Sequence, residues 1–198
     1  MAVRFYDKAV YDKIQSWIKD KNMKILKVNE TSRLFQTLAD ENKDEPIQLP
    51  IIVLSRDTDL TIENTSKKPM SFDGYTLKSV DGGVLKVNAI PIIISYQLDI
   101  YTKEYDVGDE YNRNFIFNLI NFPKLDIIIP YNGVEYHHTG NIVLNPTVQD
   151  NSDIPQRIFP GQFTRWTISF TIEDAYLFSV ANKDNVHICA IDSDIELM

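Results

Sequence analysis

Between Pro91 and Pro130 the chain reads as strand, helix, strand, and that unit limits what the rest can fold into. Ile92, Ile94, Tyr96, Leu98 and Ile100 alternate with Ile93, Ser95, Gln97, Asp99 and Tyr101. A period of two places the first set on one face of a strand. The second set turns polar after Ile93, so only one face is continuously apolar. Thr102 to Gly108 is a polar break, with Asp106 the expected helix N-cap and Asp109 and Glu110 suited to a first turn. Tyr111, Phe115, Leu119 and Phe122 then recur at three- and four-residue spacing, widened by Ile116 and Ile120, as one buried face of an amphipathic helix. Pro123 ends it, because proline disfavours helix at the residue before it. Leu125, Ile127 and Ile129 begin the second strand.

The flanking segments follow the same logic. Tyr6, Val10, Ile14, Trp17 and Ile18 recur at helical spacing between Phe5 and Asp20, which predicts an N-terminal helix within residues 1–22, with Asn22 as its stop. Met23–Val28 and Ser32–Leu38 read as short strands. Ile47–Leu54 is a strand that begins at Pro50 or lies at an edge, since proline lacks the backbone donor. Thr61, Ile62, Glu63 and Asn64 can continue that ribbon. Thr65 to Gly83 is expected to be an extended loop or hairpin, punctuated by Asp73-Gly74 and Asp81-Gly82-Gly83. Asn132-Gly133 suits a tight primed turn, joining Leu125–Pro130 to Val134–His138. Asn141–Gln149 is a further strand, interrupted by Pro146. Trp166, Ile168, Phe170 and Ile172 alternate with Thr167, Ser169 and Thr171, so this strand should pair with Ile92–Ile100. Residues 181–198 alternate weakly and end acidic, as a frayed tail or as a strand added to another subunit.

These elements predict an α+β fold: a twisted, mostly antiparallel sheet with an N-terminal helix and a central helix packed on it. A length of 198 residues suits a single domain. Ten Tyr and ten Phe against seven Gly supply the packing material of a β-rich chain. The formal charge of −8 disfavours nucleic-acid binding. It is uneven: residues 1–40 hold eight Lys or Arg against five Asp or Glu, so the remainder carries −11. Either the charge is solvated surface or opposite-sign faces meet between subunits. A single cysteine, Cys189, excludes a disulfide within the chain and suits a reducing compartment. Met1 to Val10 lacks the apolar core of a signal peptide, and the longest apolar run, near Ala89 to Ile94, is too short to cross a bilayer. A soluble intracellular product with no membrane partner is the expectation.

Chemistry-bearing motifs are scarce. His137 and His138 are adjacent in a strand and should point to opposite faces, which makes a shared metal ion unfavourable; His187 stands apart. Asp99, Glu104, Asp106, Asp109 and Glu110 cluster around the strand-to-helix turn. A general acid–base pair needs burial to separate two pKa values, whereas a hydrophilic connection suggests solvated or helix-capping roles. Asp81-Gly82-Gly83 lacks the spacing of a phosphate cradle, and there is no GxSxG, HExxH or CxxC. No catalytic residue, cofactor or metal is expected. Tyr101 and Tyr105, where the first central strand leaves the sheet, and Phe159, Phe163 and Trp166, around Pro160-Gly161, either complete the core or form subunit contacts. Arg157 and Arg165 lie among the second group, and aromatic and Arg side chains are enriched at interfaces.

The order of parts resembles a known family. QLPIIVLSRD (48–57), AIPIIISYQLDIYTKEYDVGDEYNRNFIFNLINFPKLDIIIP (89–130) and PGQFTRWTISFTIEDAYLF (160–178) look like the tail terminator and tail sheath stabiliser proteins of tailed bacteriophages, contractile-tailed ones especially. The matching pieces are Pro91, Tyr96, Leu98, Ile100, Thr102 and Lys103, then Asp109 and Glu110, then Arg165 to Ile172. The likeness spans roughly residues 47–178. The chain departs from the pattern in carrying Lys103 where arginine is common and in a short acidic tail.

The resemblance implies a non-enzymatic virion protein, a hexameric ring at the head-proximal end of the tail. Its partners would be further copies of itself, the tail tube and sheath proteins, and neck or connector proteins. Tyr101, Lys103, Tyr105, Asp109, Arg157, Phe159, Phe163 and Arg165 are then the expected contact residues. Another neck, stopper or baseplate component is the alternative, and an enzyme built on Asp99, Glu104 and Asp109 is a third reading.

Overall fold

A computed structural model describes residues 3–18, 24–27, 49–62, 75–151 and 164–178. Among these, helix α1 (Val3–Trp17) precedes strands β1 (Lys24–Lys27), β2 (Ile51–Ile62), β3 (Tyr75–Ser79), β4 (Val84–Val87) and β5 (Ala89–Thr102). Helix α2 (Tyr105–Asn121) and strands β6 (Lys124–Tyr131), β7 (Val134–Asp150) and β8 (Thr164–Phe178) follow. The strands form one sheet in the order β1-β2-β5-β8-β7-β3-β4, with β6 paired to β7 off that path. Only β1 and β2 run parallel; the other pairs are antiparallel. This is the expected α+β fold, with an N-terminal and a central helix.

The expected pairing of the two alternating strands is the spine of the sheet. Ile94 faces Ile172, Tyr96 faces Phe170, Leu98 faces Ile168 and Ile100 faces Trp166 across β5 and β8. All eight side chains are buried, and the Tyr96 and Phe170 rings stack at 5.6 Å. Burying an aliphatic or aromatic side chain of this size contributes about 1.5–3 kcal/mol. Phe115 and Leu119 of α2, Tyr6, Val10 and Ile14 of α1, and Leu125, Ile127 and Ile129 of β6 complete the same core. The opposite face of β5 and β8 carries Ser95, Gln97, Asp99, Thr167, Ser169 and Thr171.

Polar bonds fix α1 in place. The Tyr6 hydroxyl accepts the Tyr176 N–H at 2.7 Å and donates to the Tyr176 carbonyl at 3.3 Å. Asp7 Oδ1 accepts the Tyr96 hydroxyl at 2.8 Å and pairs with Arg56 Nε at 3.0 Å. Burial, with the Asp7 charge adding to it, holds the Tyr96 hydroxyl far above its ordinary pKa.

Several boundaries differ from those expected. Asp106 is not the N-cap of α2. Glu104 takes that position, in extended conformation and without a side-chain cap bond, and Asp106 falls in the first turn. The helix starts early because the Glu104 carbonyl already accepts the Gly108 N–H at 3.2 Å, while Thr102 Oγ1 donates to the same carbonyl at 2.8 Å. Asp109 and Glu110 consequently lie beyond the first turn. β2 is one strand rather than two pieces, with a register shift between Arg56 and Leu60 absorbing the polar stretch. It begins directly after Pro50, as expected, but lies between β1 and β5. The expected hairpin strand Val134–His138 and the further strand Asn141–Gln149 are likewise one strand, β7, with a shift between Leu144 and Val148 around Pro146. Within the expected loop, Tyr75–Ser79 forms β3 and hairpins with β4.

The Asn132-Gly133 turn is as expected, with φ of 51° and 79°. Asn22, residues 32–38 and 63–74, and the tail at 181–198 lie outside the described residues. No helix among those described is long and apolar enough to cross a membrane.

Candidate interaction surface

The β5–β8 register sets Tyr101 against Arg165 and Asp99 against Thr167. The four side chains therefore lie together on the polar face, at the end of the sheet where α2 begins. Arg165 grips Asp99 with two bonds, Nε to Oδ1 at 3.2 Å and Nη2 to Oδ2 at 2.9 Å. Thr167 Oγ1 donates to Oδ1 at 2.7 Å, and Gln97 Nε2 reaches Oδ2 at 2.9 Å. Asn151 Nδ2 donates to Thr167 Oγ1 at 2.9 Å, extending the network. Asp99 is only 5% exposed, so it is neither solvated nor part of the hydrophilic turn, contrary to expectation. Its burial is tolerable because a fork-shaped cation and two further donors satisfy both oxygens. For Arg165, burial works against the charge, and the Asp99 bonds and charge outweigh it, raising its pKa.

Tyr101 packs beside Ile51 and Val53, and the Arg165 guanidinium lies 5.7 Å from its ring centroid. Burial pushes the Tyr101 hydroxyl up to about 12; the Asp99 charge adds to the shift and Arg165 opposes it. Of the expected contact residues, Tyr101 and Arg165 are thus engaged within the chain. Lys103 and Tyr105 are exposed, and the Tyr105 ring rests on Trp166 at 5.2 Å. Asp109 is half-buried and pairs with Arg113. Glu104, Asp106 and Glu110 face solvent. Arg157, Phe159 and Phe163 lie outside the described residues. Of the clustered carboxylates, Asp99 and Asp109 are each paired with an arginine, and Glu104, Asp106 and Glu110 face solvent separately.

His137 and His138 point to opposite faces, as the strand period requires. His137 Nδ1 lies 3.1 Å from Asp126 Oδ2 on the partly exposed side. His138 is buried, with Nδ1 2.9 Å from the Tyr75 hydroxyl and Nε2 2.8 Å from the Asp174 carbonyl. The neutral ring satisfies both contacts by accepting at Nδ1 and donating at Nε2. Burial lowers its pKa, against the Asp174 backbone bond and the Asp174 and Asp126 charges.

A second region was not singled out in the sequence. Ile116, Leu119 and Ile120 of α2 face Val143, Leu144 and Val148 of β7 across an open apolar groove of about 650 Å³. Ile120 in that wall is 60% exposed, and Phe117 and Phe122, near the same end of the helix, are 62% and 54% exposed. Ile120 and Phe122 had been expected on the buried helical face. They miss the core because the inward stripe is Gly108, Asn112, Phe115 and Leu119. That stripe is set by the close approach of Gly108 to Thr102 and Trp166, where a Cβ would come within 2.8 Å of both side chains. Phe117 carried the available signal: two residues from Phe115, it must leave the opposite side of a helix. Large apolar side chains left exposed beside an apolar groove are a feature of protein contact sites. Compared with known proteins, the chain matches no family model and no curated protein.

Proposed function

We propose that the chain is a structural ring protein of a bacteriophage tail, a tail terminator or sheath stabiliser acting at the head-proximal end. The observation that carries this reading is the apolar surface of α2 and β7, with Phe117, Ile120 and Phe122 exposed beside a groove. An assembly protein needs such a surface; a monomer that only folds does not. The pieces that resemble the family, Pro91–Lys103, Asp109-Glu110 and Arg165–Ile172, lie on β5 and the turn after it, α2 and β8; of these, α2 supplies one wall of the groove.

The mechanism is steric and interfacial. Copies join through unlike surfaces related by rotation, and the ring closes when the rotation does. Seated on the last ring of tube and sheath, it blocks further addition and offers its outer face to the neck. An interface of ordinary size takes about 800 Å² from each partner, more than the three exposed α2 side chains supply, so Lys103 and Tyr105 are assigned to the same contact zone. On this reading the protein belongs to the virion and is made in the host cytoplasm.

Adding the purified protein to tails assembled without it tests the reading. Tails that then stop at one length and join filled heads are the expected result; tails that keep growing and stay unjoined contradict it.

A further inference from the structure

Strand β3 and its hairpin partner β4 hang on the sheet by a short seam. β3 pairs with β7 at two positions, Lys78 with His137 and Ser79 with Tyr136, and Leu77 reaches the core. At the start of β3 the tie is made by side chains. The Tyr75 hydroxyl bonds His138 Nδ1 at 2.9 Å. The Tyr75 ring lies against Tyr176 and Phe178 of β8, with centroids 4.5 and 5.6 Å away.

His138 is the centre of this cluster. Its ring meets those of Tyr75, Tyr176 and Phe178 at 5.4 Å each and that of Tyr6 on α1 at 6.2 Å. The side chain is buried, and both nitrogens are engaged, Nδ1 by Tyr75 and Nε2 by the Asp174 carbonyl. The ionisable groups around it are Tyr6 on α1, Tyr75 on β3, Tyr176 and Asp174 on β8, Asp126 on β6 and its own neighbour His137. The Asp174 carboxylate bonds Asn141 Nδ2 at 2.7 Å, and that of Asp126 lies 3.1 Å from His137 Nδ1. Their charges favour a protonated His138, and burial outweighs them.

A proton added at Nδ1 conflicts with this packing in two ways. It turns an acceptor of the Tyr75 hydrogen into a donor, so the Tyr75 hydroxyl must reverse and find another acceptor. It also leaves a cation desolvated among four aromatic rings. Of the elements around the ring, β8 is held by long ladders to β5 and β7, and α1 by the Tyr6 and Asp7 bonds. Among the described residues β3 has the slightest hold of these, and moving it opens the ring to water.

We propose that His138 is an acid-sensitive latch on the β3–β4 hairpin: neutral, it holds Tyr75 and the hairpin on the sheet, and protonated, it lets the hairpin swing off and uncover Tyr176 and Phe178. Linkage sets the size of the effect. In the open form the ring titrates near the ordinary 6.5, above its value in the closed form. The open form therefore takes up the extra proton, and the opening equilibrium grows as pH falls, by at most about thirtyfold between pH 7.5 and 5. The latch belongs to a single chain and holds whatever that chain assembles into.

Amide hydrogen exchange of the full-length protein at pH 7.5 and pH 5, read by mass spectrometry as protection factors so that the pH dependence of the chemical step divides out, tests this. Residues 75–87 should be less protected than 94–100 and 166–172 at both pH values, as a local opening requires. Their protection should fall severalfold or more on going to pH 5, and His138→Gln should remove most of that fall. Hairpin protection equal to that of β5 and β8 would mean that the hairpin leaves only when the whole chain unfolds, and would overturn the proposal. So would no fall in the native protein, or a fall of the same size in His138→Gln. If that variant does not fold, Tyr75→Phe keeps the ring and removes the bond. It should lower hairpin protection severalfold at pH 7.5 while sparing β5 and β8; unchanged hairpin protection would overturn the latch.

Discussion

Asp99 on β5 and Arg165 on β8 are joined side-on, Nε to Oδ1 and Nη2 to Oδ2, at 3.2 and 2.9 Å. Their side chains retain 7% and 18% of their exposure. Removing one partner leaves the other charge desolvated, which in buried pairs costs about 3–5 kcal/mol; the residual exposure of Arg165 places the loss for Asp99→Ala near the lower end. Asp99→Asn with Arg165→Met should recover part of that loss. Chemical denaturation of the two single variants and the double variant measures it, and additive losses would show that the two residues do not couple.

Gly108 lets α2 lie against β8. An added Cβ meets Trp166 Cδ1 at 2.8 Å and Thr102 Oγ1 at 2.7 Å. Gly108→Ala should therefore destabilise by about 1–3 kcal/mol, the range for overpacking, despite the better helix propensity of alanine. A rise in the denaturation midpoint would contradict this.

The buried His138 makes stability depend on pH. Its folded pKa lies below the ordinary 6.5, so between those two values the unfolded chain binds the extra proton and stability rises with pH. Stability is full above 6.5 and falls as pH drops toward the folded pKa, by at most about 1.4 kcal/mol per pH unit. Asp174 and Asp126, the charges nearest the ring, oppose the shift and narrow the window. His138→Gln should flatten the slope between pH 6.5 and 5; an unchanged slope would assign it to other groups.

Exposed apolar side chains on α2 contribute little to the fold of one chain. Ile120→Asp should leave the melting temperature of the isolated protein within a few degrees while abolishing its ability to restore tail joining. Loss of folding in this variant, or full restoring activity, would remove the groove from the contact surface.

The α+β architecture was legible because β5, β8 and the inward stripes of α1 and α2 each follow one period. Ile92–Ile100 and Trp166–Ile172 could be paired from their matched alternation alone. The merging of β2 across Arg56–Leu60 was not legible, because a bulge lets a strand continue through residues that interrupt its pattern, nor was that of Val134–His138 with Asn141–Gln149 into β7, where Thr139-Gly140 reads as a break but stays in the ladder with β6. The start of α2 was misplaced because Asp106 has the chemistry of a cap, while the position is decided by the local Thr102–Glu104 side-chain-to-backbone bond and by the tertiary contact of Gly108 with Trp166. Asp99 looked solvated for a similar reason. Its partners Arg165 and Thr167 are more than 60 residues away in sequence, and no local pattern announces a cation across a strand pair. The groove was hidden because Ile120 and Phe122 fit a helical stripe that the sheet does not reach.

The most direct test of the ring-protein account is electron microscopy of lysates from a phage that carries this gene and from the same phage with the gene removed. The account predicts tails of uncontrolled length or unstable sheaths beside filled, unjoined heads once the gene is gone. Complete absence of tails would move the protein to an earlier assembly step. Normal infectious particles would contradict a role in the virion altogether.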